Sequence, residues 1–372
     1  MQVKFPAYFK LVVILAGIVL IVIIMRSAKI VLVPLLISGL LAILISPFTS
    51  WQESKGIPSI LAVSASLIAL LAAITGIVYF FYNQLLGFSR DLSALENRVE
   101  EIIGAANDFI TNNFEGVVPI SIDSIKDTLF QQVYENMDAL TQGIIATAGT
   151  VTMIFIMPVY IFLFLYFRKF LVEFVRRAFS DHYREKVSRV INSVQGVVQN
   201  YIKGMFVVIC ILAVLNSIAL YSLGIRHAML FAVFAAFLNV IPFLGPFIGA
   251  TLPILFALLT KDSLWYPIGV FLAFYVIQLM ESNIFTPKIV GGKVSMNPLM
   301  TIIALFIGNF IWGLAGMILF IPGMAVLKVI FDEIEGMEPY GFLLGKVSDS
   351  NDADTPKREY KLLAEIKKRM KF

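Results

Sequence analysis

Apolar residues along this chain come in runs about as long as a lipid bilayer is thick, separated by short polar stretches. A helix needs roughly 20 apolar residues to cross hydrocarbon, with a range of about 17–25. Segments of that kind occupy 7–25, 30–46, 57–82, 143–167, 204–223, 228–260, 263–286 and 299–330. The pattern predicts an all-α polytopic integral membrane protein with about eight membrane segments. The first two runs are separated only by Arg26-Ser27-Ala28-Lys29, which predicts a tight hairpin. Lys4 and Lys10 before Leu11–Met25 imitate a signal peptide. Arg26 stands where small cleavage-site residues belong and a second apolar run follows, so the segment reads as an uncleaved span.

Two runs are too long for one straight crossing. At about 1.5 Å per residue, 228–260 and 299–330 would each approach ~50 Å, against a hydrocarbon core of about 30 Å. The first is interrupted by Pro242-Phe-Leu-Gly245-Pro246, and the second by Gly308, Asn309, Gly313 and Gly316, then Pro322-Gly323. Each is either one kinked span or a re-entrant pair of half-helices. The re-entrant reading is favoured, with the two pairs opening to opposite sides. Backbone freed by such breaks is tolerated only where protein or a watery cavity satisfies it.

Two polar regions have their own periodicity. Phe88, Leu92, Leu95, Val99, Ile102, Ala106 and Phe109 step by four and three, a heptad seam. A break at Asn112–Pro119 follows, then an N-cap at Ser121 and a second apolar stripe from Ile122 to Leu140. Segment 83–142 therefore reads as a helical hairpin that buries its own seam or shares it with another protomer. In 180–203, Val187, Val190, Ile191, Val194, Val197, Val198 and Tyr201 share one face, which predicts an amphipathic helix along the membrane surface.

Composition agrees with the pattern. Of 372 residues, 59% are hydrophobic and 15% charged, where soluble domains carry about 25% charged residues. Lipid must solvate much of the chain. The net charge of +4 gives no sign of a nucleic-acid partner. The placement of charge orients the chain. Segment 168–203 holds eight basic and three acidic residues, and 83–140 holds three basic and ten acidic. By the positive-inside rule the first is cytoplasmic and the second external. Both termini, each rich in lysine, then lie in the cytoplasm, which suits an even number of crossings. The domains follow: 1–82, the first three spans; 83–142, the external hairpin; 143–330, a transmembrane core with the basic linker 168–203; and 331–372, a cytoplasmic tail.

Candidate chemistry is sparse. One cysteine, Cys210, and two histidines, His182 and His227, exclude a disulfide framework and argue against a metal site. Gly292-Lys293 and Gly345-Lys346 are each followed by valine, so no phosphate-cradling loop is present. No catalytic constellation stands out, and no cofactor is implied. What remains is polar side chains within apolar runs, which are costly there and mark solute or ion paths. Gln278, Glu281 and Asn283 precede Pro287. Gln278 and Glu281, three apart, share a helix face, and Glu281 is the one acidic residue inside an assigned span. Its other reading is a headgroup position beside Lys288. Asn239, three residues before Pro242, offers donors and acceptors to a polar solute or to carbonyls freed by that proline, and Asn309 has the same ambiguity. Asn216, isolated in its span, is expected to bond a neighbouring helix. Gly245 and Gly249 form a small-xxx-small pair for close helix approach, and Pro246 suits the first position of a half-helix.

Three stretches carry a resemblance to a known family. They are Phe237-Leu-Asn-Val-Ile-Pro-Phe-Leu-Gly-Pro246; Gln278-Leu-Met-Glu-Ser-Asn-Ile-Phe-Thr-Pro-Lys-Ile-Val-Gly291 with Asn297-Pro298; and Trp312-Gly-Leu-Ala-Gly316 through Ile321-Pro322 to Lys328. Together they resemble the autoinducer-2 exporter family of bacterial membrane proteins, over residues 1 to about 335. The resemblance implies an inner-membrane permease working without ATP. Its members are assigned to export of the quorum-sensing signal autoinducer-2 or to sodium(lithium)/proton antiport, and are reported as pentamers with an elevator-like moving unit.

Three functions are therefore carried forward. The first is an exporter of a small polar solute, autoinducer-2 foremost. Its site would lie where 228–260, 263–286 and 299–330 meet, with Asn239, Gln278, Glu281, Asn283 and Asn309 along the path. Pro242, Gly245, Pro246, Gly249, Pro287, Gly313 and Gly316 would shape the backbone. The second is a cation/proton antiporter in which Glu281 exchanges a proton for sodium. The third is a membrane scaffold that transports nothing. Expected partners are the lipid bilayer, a small polar solute with sodium or protons, and further copies of the chain.

Overall fold

The computed structural model describes residues 7–113, 148–290 and 296–345, and these residues are almost wholly helical. Helices α1 (Ala7–Ser27) and α2 (Lys29–Ser54) meet at Ala28. Backbone hydrogen bonds cross the joint, from the Ala28 N–H to Ile24 O and from the Leu32 N–H to Ala28 O. Leu11, Leu15 and Leu20 stay more than half exposed. The tight hairpin expected here is instead a joint between helices laid end to end, because Arg-Ser-Ala-Lys contains neither glycine nor proline to break the ladder.

After a turn in which Gly56 has φ +86°, α3 (Ser59–Asn113) returns along α2. The Thr49 hydroxyl donates to Ser66 Oγ at 2.8 Å and Gln52 Nε2 donates to the same oxygen at 3.2 Å. The sequence pattern divides α3 at residue 82, yet the helix is continuous over 55 residues. Asn83 and Gln84 change the surroundings of the helix, not its backbone. The expected partner helix over 121–140, like the tail beyond 345, lies outside the described residues.

Helix α4 (Ala148–Tyr166) runs parallel to α2, joined by Ser38 Oγ donating to the Met157 carbonyl at 3.3 Å. It bends by 65° into α5 (Arg168–Ala178). Helix α6 (Arg184–Ser222) then runs 39 residues without interruption. The surface helix expected over 180–203 and the span 204–223 are thus one element. Gly204, the only small residue at the junction, is used for contact: a Cβ there would stand 3.0 Å from the Ile289 carbonyl.

The two long apolar runs are helical hairpins, not kinked rods. Helices α7 (Ala228–Leu238) and α8 (Leu244–Thr260) bring Phe231 and Phe256 to 5.0 Å between ring centroids, where a straight helix would separate them by ~37 Å. A Cβ on Gly249 would sit 2.9 Å from Ala235 Cα, so the small-xxx-small pair sets the closeness of the two arms. Helices α11 (Pro298–Trp312) and α12 (Leu314–Glu333) fold back likewise at Gly313, φ +65°. There a side chain on Gly316 would collide with the Gly308 backbone.

Between the hairpins run α9 (Trp265–Met280), a π-helical turn at Glu281–Phe285 and α10 (Thr286–Ile289); α13 (Glu338–Leu344) closes the described chain. The hairpins open toward opposite ends of α6. The arms of the first pack in one core with Leu220, while the second ends near Lys186, whose ammonium pairs with Glu335 at 3.6 Å. This is the inverted arrangement the sequence favoured.

Among the described residues, five segments are long and apolar enough to cross a membrane: Lys29–Ser54, Ser59–Phe88, Asp181–Ser222, Trp265–Ile289 and Leu314–Glu333, with the bent α4–α5 pair a sixth. The shorter helices Ala228–Leu238, Leu244–Thr260 and Pro298–Trp312 are hairpin arms.

Gly316→Val should lower the melting temperature of detergent-solubilised protein, since overpacking typically costs about 1–3 kcal/mol. Gly323→Ala, on the same helix with nothing within 4 Å of its added Cβ, should leave it unchanged or slightly raised.

Candidate functional site

Local sequence makes the turn of the first hairpin. Pro242 cannot continue α7, and Gly245-Pro246 restarts a helix, since proline is preorganised for the first turn. Between them Phe243 is held at φ +67°, a conformation a bulky residue adopts only at a cost of about 1–3 kcal/mol. The turn is otherwise satisfied by its own backbone. Val240 N–H donates to Phe237 O at 3.2 Å, Ile241 to Leu238 at 2.9 Å, and Gly245 to Ile241 at 2.9 Å. A side-chain amide is not required to meet these carbonyls.

The hairpin, α6 and α9 enclose a cavity of about 340 Å³. Its walls are mostly aromatic and aliphatic (Leu212, Phe247, Phe271, Phe274 and Ile277 among them), and polar groups enter from every side: Asn216 from α6, Asn239 at the end of α7, Thr251 from α8 and Gln278 from α9. A few convergent polar groups in an apolar cleft is the common form of a small-molecule site.

Asn216 is the residue that sequence reasoning missed. It was expected to bond a neighbouring helix, but its Oδ1 is buried with no hydrogen-bond partner among the described residues. Leaving such a group unmet costs about 1–3 kcal/mol, so the position is poor for stability and suited to a ligand. Its isolation in an apolar span was the available signal. What could not be read was which elements would face it.

Gln278 links the cavity to Glu281. Its Nε2 donates to Glu281 Oε2 at 2.7 Å, and the Thr286 hydroxyl donates to the other carboxylate oxygen. Glu281 is buried and opens the π-helical turn, in which the Thr286 N–H reaches back to the Glu281 carbonyl. Pro287 accounts for this widening: it lacks an N–H and its ring crowds the carbonyl four residues earlier. The carboxylate thus receives two neutral donors, and no ion pair with Lys288 or any other described cation forms. Glu281 is therefore held by its own helix neighbours and not by Lys288.

The other candidates fall elsewhere. Asn283 is exposed, its Nδ2 donating to the Leu279 carbonyl of its own helix at 2.8 Å. Asn309 is exposed on α11. The second hairpin, with Gly313 and Gly316 at its bend, does not line the cavity. It packs chiefly on α13 and α6, with lesser contacts to α1 and α2, and Trp312 Nε1 donates to the Met25 carbonyl at 2.8 Å. Segments 228–260 and 263–286 thus meet α6 around the cavity, and 299–330 packs on α6 away from it.

The sequence has counterparts among known proteins. The family model described as AI-2E family transporter matches residues 8–336. The chain is 26% identical over 308 residues to "Putative transport protein YrrI" of Bacillus subtilis (strain 168), covering 81% of this chain and 86% of the relative. It is 26% identical over 345 residues to "Putative transport protein MT0215" of Mycobacterium tuberculosis, covering 92% and 93%. It is 22% identical over 347 residues to "AI-2 transport protein TqsA" of Escherichia coli (strain K12), covering 91% and 96%.

Asn216→Leu should raise the melting temperature of the purified protein, because it removes an unmet buried carbonyl worth about 1–3 kcal/mol. The same variant should lose transport. A melting temperature below that of the unmodified protein would show that Asn216 is bonded in solution.

Proposed function

The chain belongs to the AI-2E transporter family, and on that premise we propose that it moves a small, uncharged, polar solute out of the cell through the cavity bounded by α6, α7, α8 and α9. One observation carries this reading: Asn216 holds an unbonded amide oxygen in a cleft whose other polar groups, Asn239, Thr251, Tyr275 and Gln278, are also neutral. Neutral donors and acceptors suit hydroxyl and carbonyl groups, and a fixed charge in the cleft would favour ions. Autoinducer-2, small and rich in hydroxyl groups, is the substrate proposed first; the name of the relative TqsA supports it.

In this mechanism Asn216, Asn239 and Gln278 replace water around the solute as it leaves bulk solvent. The apolar walls exclude other water, and Pro242, Gly245, Pro246 and Gly249 hold the hairpin turn that forms one side of the cleft. No ATP enters the cycle; the solute gradient or a coupled ion drives it. Inner-membrane placement with both termini in the cytoplasm follows from the basic bias of 168–203. Assembly as a homo-oligomer, five-fold by family resemblance, belongs to the same proposal.

A second reading has its own observation. Glu281 is buried and accepts hydrogen bonds from Gln278 and Thr286, so it could carry a proton or sodium ion in exchange. Neutral oxygens on Thr286 and Gln278 would complete the ion's coordination.

In proteoliposomes loaded with autoinducer-2, the protein should release the signal faster than protein-free vesicles. Asn239→Leu and Gln278→Leu should each slow release about fivefold to tenfold, as expected for one lost hydrogen bond. Release no faster than from empty lipid would remove autoinducer-2 as substrate.

Glu281→Gln separates the two readings. Export of a neutral solute should survive it, whereas sodium/proton exchange, followed with a pH-sensitive dye, should vanish. Exchange that persists in the variant rules out the antiport reading.

A further inference from the structure

A second and larger cavity lies at the bend between α4 and α5, toward the opposite end of α6 from the first. It measures about 710 Å³, within the common range of about 300–1,000 Å³ for ligand sites. Its lining is largely aliphatic, with Ala42 and Ile43 of α2, Val172 of α5, Val194 of α6 and Ile330 of α12, and it also carries Ser46, Ser50, Gln195 and the cations Arg168, Lys169 and Arg176. A shallower depression beside it is lined by Arg176, Arg184 and Arg189 with Glu185 and Ser188.

Most of these cations are already engaged. Arg168 pairs with Glu53 at 2.5 Å and Lys169 reaches the same carboxylate at 3.7 Å. Arg184 pairs with Asp181 at 2.8 Å, and the neighbouring Arg177 pairs with Glu173 at 2.8 Å. Arg176 differs. Its Nε is buried and bonds nothing among the described residues, although its guanidinium lines both depressions. Arginine presents N–H groups in a fork that matches phosphate oxygens. An arginine with one buried, unbonded donor, lining both a largely aliphatic cleft and the basic depression beside it, therefore asks for an anion attached to a hydrocarbon chain.

The geometry points to a resident anionic phospholipid at this cleft, its phosphate on Arg176 and its acyl chain along Ala42, Ile43 and Val194. Charge complementarity selects the headgroup, since arginine and lysine outnumber the nearby acids. Exposure of Phe170 and Phe174 on α5, 66% and 62%, places the amphipathic helix where it can lie among lipid chains. The basic flank assigns the site to the cytoplasmic leaflet, where basic pockets between membrane helices take anionic headgroups. The proposal does not depend on which solute is carried.

The test uses delipidated full-length protein in neutral detergent, titrated with phosphatidylglycerol, phosphatidylcholine or inorganic phosphate, with melting temperature as the readout. Phosphatidylglycerol should raise it saturably, and the other two should not. Arg176→Gln should weaken the phosphatidylglycerol midpoint about tenfold, as for one lost charge-assisted hydrogen bond. Arg177→Gln, the same charge change one residue away, should not. An equal response to phosphatidylcholine or to phosphate, an unchanged midpoint in Arg176→Gln, or equal weakening by Arg177→Gln would each overturn the site. If Arg176→Gln does not fold, Val194→Trp decides: it fills the acyl cleft and leaves the arginine intact, so it must weaken the midpoint, and an unchanged midpoint overturns the proposal.

Discussion

The structure is governed by the inability of hydrocarbon to hydrogen-bond a peptide group. Every N–H and C=O at membrane depth must find a partner inside the protein or in enclosed water. Straight helices meet this demand residue by residue. The segment 228–260 cannot, because Pro242 and Pro246 remove two donors in five residues, and the chain answers by folding back on itself. The turn closes with short backbone bonds, 2.9 Å from Ile241 to Leu238 and 2.9 Å from Gly245 to Ile241, and small residues let the arms touch. Once the turn is so closed, the side chains around it are free to face a cavity instead of repairing the backbone.

That freedom separates the two hairpins. The first meets α6 and α9 across a cleft with five polar side chains. The second has its own close glycine contact but packs against α6 and α13, with Trp312 tied to the Met25 carbonyl. Two segments with the same sequence signature thus play different parts, one lining a site and the other bracing the bundle. Their opposite openings along α6 give the molecule its inverted character.

Much of this was legible in the chain itself. The length of the apolar runs against bilayer thickness, and the proline and glycine clusters within them, predicted two fold-backs, and three-residue spacing put Gln278 and Glu281 on one face. The misses share a cause. Nothing in the heptad pattern of 88–109 told that its first residue, Phe88, packs against Phe231 and Phe256 of the first hairpin, at 5.9 and 6.0 Å; the expected partner over 122–140 lies outside the described residues. Asn216, Asn283 and Asn309 are alike on paper as amides in or near apolar helices. Which one meets a cavity, a helix backbone or the outer surface is set by contacts distant in sequence. Breaks were read too readily where only polarity changed: α3 and α6 run on through residues that alter the surroundings and leave the hydrogen-bond ladder whole.

The account rests on the cleft at the first hairpin being wet. Substituted-cysteine accessibility in membrane vesicles tests this directly, starting from a Cys210→Ser background. A cysteine replacing Thr251, which lines the cleft, should react with a hydrophilic thiol reagent, because thiols react as thiolates and need water. A cysteine replacing Val276, on the outer face of α9, should not. Equal protection of both positions would mean the hairpin closes on dry packing, and the proposed route through it would have to be abandoned.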